Sequence, residues 1–133
     1  MVYKAPLPED YDPICRDLLS RFKDGAVVLL EGALGSGKTA FVKRFALCLG
    51  AGEAISPTFG IMHEYAPNFR HFDLYRVGSK GFFERGLHEF LGDGWAFIEW
   101  ADAPLARFLQ EEEIEFFTIA FKLEDNCRTL IYE

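Results

Sequence analysis

The sequence predicts an α/β fold, a mixed β-sheet with helices packed on it, and three observations predict it. A continuous apolar run of strand length, Ala26 to Leu30, leads into the glycine-rich stretch Gly32-Ala33-Leu34-Gly35-Ser36-Gly37-Lys38-Thr39, after which Phe41, Val42, Phe45, Ala46 and Leu49 recur at helical spacing. Further on, segments rich in aromatic and β-forming residues are separated by short turn sequences and read as hairpins. Half of the residues are apolar and 14 are Phe, which is enough to fill one core in a chain of 133 residues. A parallel βα unit at the front and hairpins at the back together imply a mixed sheet. No repeat or low-complexity linker interrupts the chain, so residues 1–133 are expected to form a single domain.

Each element has its own signal. Met1 to Pro8 reads as a proline-bearing lead-in, and Ile14, Leu18, Leu19 and Phe22 mark an amphipathic helix ending near Asp24-Gly25, with the glycine as its cap. The strand-loop-helix unit occupies about 26–50, and Gly50 and Gly52 close its helix. Ser56-Pro57-Thr58-Phe59 is expected to be a loop, because the proline holds its neighbours extended and leaves two hydroxyls exposed. Thr58 to Tyr65 and Phe69 to Tyr75 form a hairpin around Ala66-Pro67-Asn68. Phe83, Leu87, Phe90 and Leu91 share a helical face, with Ser79 as N-cap and with Gly81 and Gly86 weakening the helix. Trp95 to Ile98 is a buried strand ended by Glu99, and Asp102 caps a helix that has Pro104 in its first turn and runs to about Gln110. Phe117, Ile119, Phe121 and Leu123 alternate as in a strand, and Arg128 to Tyr132 pairs back after Glu124-Asp125-Asn126.

The stretch from Gly32 to Thr39 is a complete G-x-x-x-x-G-K-T phosphate-binding loop, which makes the fold P-loop NTPase-like. Gly32, Gly35 and Gly37 let backbone N–H groups turn inward around phosphate oxygens. The span through Ser36 and Ala40 opens a helix whose N-terminus favours anions. Lys38 is expected to reach the β- and γ-phosphates and the Thr39 hydroxyl to hold Mg²⁺. A second acid should come from the end of a neighbouring buried strand, where Glu99 fits, although a solvated strand end is the plainer alternative. Asp73 is a charge within a strand-like segment and is either a site acid or the polar face of an edge strand. Thr58 either senses the γ-phosphate or bonds its own turn, and Trp100 either stacks on a ligand or partner or packs in the core. Arg70 and Arg76 are possible phosphate partners, whereas His63 and His71 are expected to be surface or packed histidines.

Composition narrows the function further. A net charge of −7, from 21 acidic and 14 basic residues, disfavours direct binding of nucleic acid. Cys15, Cys48 and Cys127 are odd in number and widely spaced, as expected of reduced thiols rather than of a zinc site. No stretch has the character of a signal peptide or a bilayer span, so a soluble cytoplasmic protein is expected. No N-K-x-D motif is present and no D-x-x-G follows the loop, which makes a GTPase improbable. The short chain also leaves little room for the acceptor pocket of a small-molecule kinase.

With these segments placed, the chain resembles the TsaE family, also called YjeE. The resemblance rests on the loop Gly32 to Thr39, the S-P-T-F of Ser56 to Phe59, the H-F-D-L-Y-R of His71 to Arg76 and the I-E-W of Ile98 to Trp100, in that order over nearly the whole chain. It implies an ATPase of bacterial tRNA threonylcarbamoyladenosine biosynthesis acting with the TsaB and TsaD proteins and using ATP and Mg²⁺. It also implies that Lys38 and Thr39 bind phosphate and metal, that Glu99 is the second metal acid, and that Asp73 and Trp100 are functional. Two positions depart from the family pattern: Ala33 stands where Asp is common, and Ala40 where a second Thr is common. Turnover without partners is expected to be slow, since no in-cis arginine finger can be assigned from the sequence. A nucleotide-gated protein-binding module without useful turnover is the alternative.

Overall fold

The computed structural model describes residues 2–33, 35–51, 56–58, 61–66, 68–124 and 127–132. In chain order they form β1 (Val2–Ala5), a short 3-10 helix (Pro8–Tyr11), α1 (Asp12–Arg21), β2 (Val27–Glu31), α2 (Lys38–Leu49), β3 (Ser56–Thr58), β4 (Met62–Ala66), β5 (Phe69–Asp73) and α3 (Gly78–Glu84). A second 3-10 helix (Leu87–Phe90), β6 (Trp95–Glu99), α4 (Ala103–Glu111), β7 (Phe116–Glu124) and β8 (Cys127–Tyr132) follow. One sheet contains every described strand, in the order β1-β8-β7-β2-β6-β5-β4-β3. Its centre is parallel, with β2 between β6 and β7 and with β5 beside β6, while β3-β4-β5 and β7-β8-β1 are antiparallel. The mixed α/β sheet is therefore as expected.

Period-two alternation divides the central strands between two apolar layers. Val28 and Leu30 of β2, Phe69 of β5, Phe97 of β6 and Ile119 of β7 face α1 and α2. Val27, Leu29, Phe72, Ile98 and Ala96 face α3, the second 3-10 helix and α4. Phe45 of α2 fixes the first layer: its ring meets Trp95 at 4.7 Å, Phe97 at 4.8 Å and Phe69 at 5.6 Å between centroids. Arg44 ties α2 to α1 through a two-pronged contact with Asp12, at 3.0 and 2.6 Å. That guanidinium holds the Asp12 carboxyl below the usual carboxylate range.

Four expectations are corrected. The lead-in contains a strand, because Val2–Ala5 pair with Arg128–Ile131 on β8. The Ser56-Pro57-Thr58 backbone is not a loop but β3, opposite Met62–Glu64, and Phe59 lies outside the described residues. Ser79 is not the N-cap of the third helix. Val77 holds that position, and the Ser79 N–H is taken by Asp102 Oδ2 at 3.3 Å. The apolar face from Phe83 to Leu91 is not one helix, since Gly86 adopts a left-handed φ of +69° that splits it into α3 and a 3-10 turn. Gly50 closes α2 as expected, whereas Gly52, Pro67, Asp125 and Asn126 lie outside the described residues.

Asp102 caps α4 through Oδ1, which accepts from Leu105 N at 3.2 Å, while its Oδ2 fixes the start of α3. Removing both contacts predicts that Asp102→Ala loses about 1–2 kcal/mol of stability. Urea denaturation against the parent measures this, and a change below ~0.3 kcal/mol would show that the cap contributes nothing.

Candidate functional site

The β2 strand ends at Glu31 and the chain turns through Gly32 to Gly37 into α2. The first-turn N–H groups of that helix have no intrahelical acceptor, so they are available to an anion. Gly37 has φ +108°, and a Cβ built there would lie 2.5 Å from Tyr11 Oη and from Arg128 Cδ. Both the conformation and the packing require glycine at that position. Ser36 is buried and its Oγ has no hydrogen-bond partner. An unpartnered hydroxyl inside a ring of amides suits a loop that surrounds phosphate oxygens. Leu34 lies outside the described residues.

Lys38 is only 4% exposed, with its Nζ bonded to the Gly32 carbonyl and positioned 3.9 Å from the centre of the Trp100 ring. Burial lowers the pKa of this ammonium, and the negative charges of Glu99 and then Asp73 oppose the shift. Those two acids stand side by side, because β5 and β6 run parallel with Asp73 opposite Glu99, and Leu30 of β2 is opposite Glu99 on its other side. Glu99 is 4% exposed, so it is not a solvated strand end. Its Oε2 accepts from His71 Nε2 at 2.6 Å, which supplies the partner that a buried carboxylate needs. Asp73 Oδ1 accepts from Tyr75 N at 3.0 Å and holds the turn after β5.

Trp100 follows Glu99 with φ +63°, a left-handed conformation that costs a residue with a bulky side chain about 1–3 kcal/mol. The turn aims its ring at Lys38 and at Tyr75, 5.0 Å away and itself 59% exposed. Trp100 thus touches both a charged site residue and the second apolar layer. Thr39 and Ala40 lie in the first turn of α2, and Ala40 packs on the first layer. Thr58 lies in β3, and its side chain is outside what is described.

Sequence reasoning missed His71 as the partner of Glu99. The available signal was the spacing of His71 and Asp73, two residues apart on one face of a strand. Arg70 bonds Glu64 at 3.0 Å and lies over the Phe90 ring at 4.6 Å. Arg76 is exposed in the turn after β5. A cleft of about 550 Å³ opens on the other side of the loop, between Ala33, Gly35 and Ser36 and the end of β7 at Phe121 to Glu124. Among the described residues no group of three or more His, Cys, Asp or Glu could hold a metal ion. Thr39 and Glu99 offer hard oxygen donors of the kind Mg²⁺ takes when substrate phosphates complete its shell.

Comparison with known proteins fits this arrangement. The family described as threonylcarbamoyl adenosine biosynthesis protein TsaE matches residues 6–129. The chain belongs to the TsaE family. A TsaE of Bacillus subtilis (strain 168) is 39% identical over 92% of this chain and 89% of its own length. A TsaE of Treponema pallidum (strain Nichols) is 45% identical over 60% of this chain, a match spanning 63% of that relative. The crystal structure of B. subtilis YdiB superposes with a TM-score of 0.65 at 31% identity, covering 99% of this chain and 83% of that one. The TsaE assignment is consistent with a nucleotide-binding protein, and no described helix is long and apolar enough to cross a membrane.

The contact between Glu99 and His71 predicts that Glu99→Ala destabilises the fold by about 1–3 kcal/mol by stranding a buried imidazole, whereas Glu99→Gln, which keeps an acceptor, loses less. Equal losses in thermal denaturation would show that the hydrogen bond does not matter to stability.

Proposed function

We propose that this protein binds ATP with Mg²⁺ and hydrolyses it in support of threonylcarbamoyladenosine modification of tRNA, as a partner of TsaB and TsaD proteins. One observation carries the reading: buried Lys38 at the head of α2 shares an electrostatic environment with Glu99 and Asp73, two acids in register at the ends of adjacent strands. Phosphoryl transfer to water needs positioning and neutralisation of charge more than covalent chemistry. The loop amides and Lys38 bind and orient the phosphates. Thr39 and Glu99 are the residues that would hold Mg²⁺, which supplies further neutralisation of the phosphate oxygens. Asp73, in register with Glu99, would orient the attacking water. Family membership supports the place in tRNA modification, and the net charge of −7 supports a role through protein partners rather than through direct contact with tRNA.

The strained Trp100, with Lys38 over its ring and exposed Tyr75 beside it, favours a second reading. In that reading, nucleotide drawing Lys38 away rearranges an aromatic surface, and turnover is incidental. Phosphate release with and without TsaB and TsaD separates the two.

Lys38→Ala is expected to abolish most ATP affinity in calorimetry. Glu99→Gln and Asp73→Asn should retain nucleotide binding but lose at least about tenfold in phosphate release with partners present, with Glu99→Gln also needing more Mg²⁺. Parent rates from both acid variants in saturating Mg²⁺ would sink the assignment of these residues.

A further inference from the structure

Among the buried polar atoms without a hydrogen-bond partner, three surround the loop: Ser36 Oγ, Tyr11 Oη and Arg128 Nε. Ser36 is part of the loop, but Tyr11 ends the first 3-10 helix and Arg128 is the second residue of β8. Tyr11 and Arg128 meet at Gly37, where an added Cβ would lie 2.5 Å from Tyr11 Oη and 2.7 Å from Arg128 Nε. Tyr11 is fully buried, against Phe41 and Phe121 at centroid distances of 5.4 and 6.4 Å. Burial pushes its hydroxyl up to about 12, so it stays a proton donor throughout the ordinary pH range. A guanidinium nitrogen and a phenol, both dehydrated and both unbonded, are costly features to maintain with no function.

The sheet order gives this pair a direction. Glu99 and Asp73 lie on the β6–β5 side of β2, while the cleft at Ala33, Ser36 and Leu123 lies on its β7 side. In the nucleotide-binding reading, a nucleotide whose terminal phosphate meets the acids would have its nucleoside toward β7 and β8. Arg128 is the register partner of Leu123, one of the cleft residues.

We infer that Arg128, beside Tyr11 and admitted by the absence of a side chain at Gly37, is a nucleotide-binding residue that engages the phosphate nearest the nucleoside, the α-phosphate. This rests on the nucleotide-binding reading proposed above. The guanidinium fork suits phosphate oxygens, and Gly37 lets it approach the loop closely. The α-phosphate is common to ADP and ATP. Arg128 therefore sets affinity for both alike, unlike the acids at the terminal phosphate.

The test is calorimetric titration of the full chain with Mg-ADP and Mg-ATP. Arg128→Gln is expected to weaken both by the same factor, about tenfold or more, and Arg128→Lys by less. The Mg²⁺ requirement should not move. In phosphate release, KM should rise by that factor and kcat change far less, a split that loss of loop structure would not give. Should Arg128→Gln fail to fold, Arg128→Met keeps the apolar stem and carries the same expectation. Parent-like affinity for both nucleotides in the uncharged variant overturns the inference and leaves nucleotide binding standing. So does a loss confined to ATP, which would place Arg128 at the terminal phosphate. If the parent chain binds neither nucleotide, the reading and the inference fall together.

Discussion

The parallel register that sets Leu30 of β2 beside Glu99 of β6, and Glu99 beside Asp73 of β5, is the constraint on which the site depends. Side chains alternate faces along a strand, so a slip of one residue in β6 would turn Glu99 into the opposite apolar layer, which holds Leu87 and Leu105. The correct register places Phe97 in the first layer, with Phe41 and Phe45 of α2 packed on it. The aromatic contacts that stabilise α2 against the sheet are thus the contacts that aim its first residue, Lys38, at the two acids. Core packing and site geometry are a single arrangement.

That coupling explains which parts were legible in the sequence. The β2-loop-α2 unit is local: strand, turn and helix lie within about two dozen consecutive residues, so spacing and glycine placement were enough. The Asp102 cap is equally local and was read correctly, since Asp102 bonds a residue three positions on. The reading failed where a residue takes its role from distant chain. Val2–Ala5 has no strand signature of its own and becomes a strand because β8 offers it an edge. His71 finds its partner in Glu99, on another strand, and Arg128 lies against Gly37, far away in sequence. Ser79 carries a capping side chain, but its neighbourhood was already satisfied by Asp102, so propensity yielded to a tertiary contact.

Membership of the TsaE family and the geometry of the site contribute different things. The family pattern marks Asp73, Glu99 and Trp100 as a set. The structure supplies physical reasons: a shared field on Lys38, a buried carboxylate with one partner, and a left-handed turn that aims an indole. Ala33, one of the departures from the pattern, lines the cleft beside the loop, and Ala40, the other, packs on the first apolar layer. Neither replaces a group that the site geometry requires.

The placement of β1 and β8 also bears on the order in which the molecule assembles. Among the described strands, β1 pairs with β8 alone, so it has no sheet partner until that much later strand has been made. The same hairpin brings Arg128 beside a loop synthesised much earlier. Long-range pairings of this kind form late, because the chain between them must be ordered before the contact repays it. A nascent chain therefore has the glycine loop and its helix well before β8 can lie beside them.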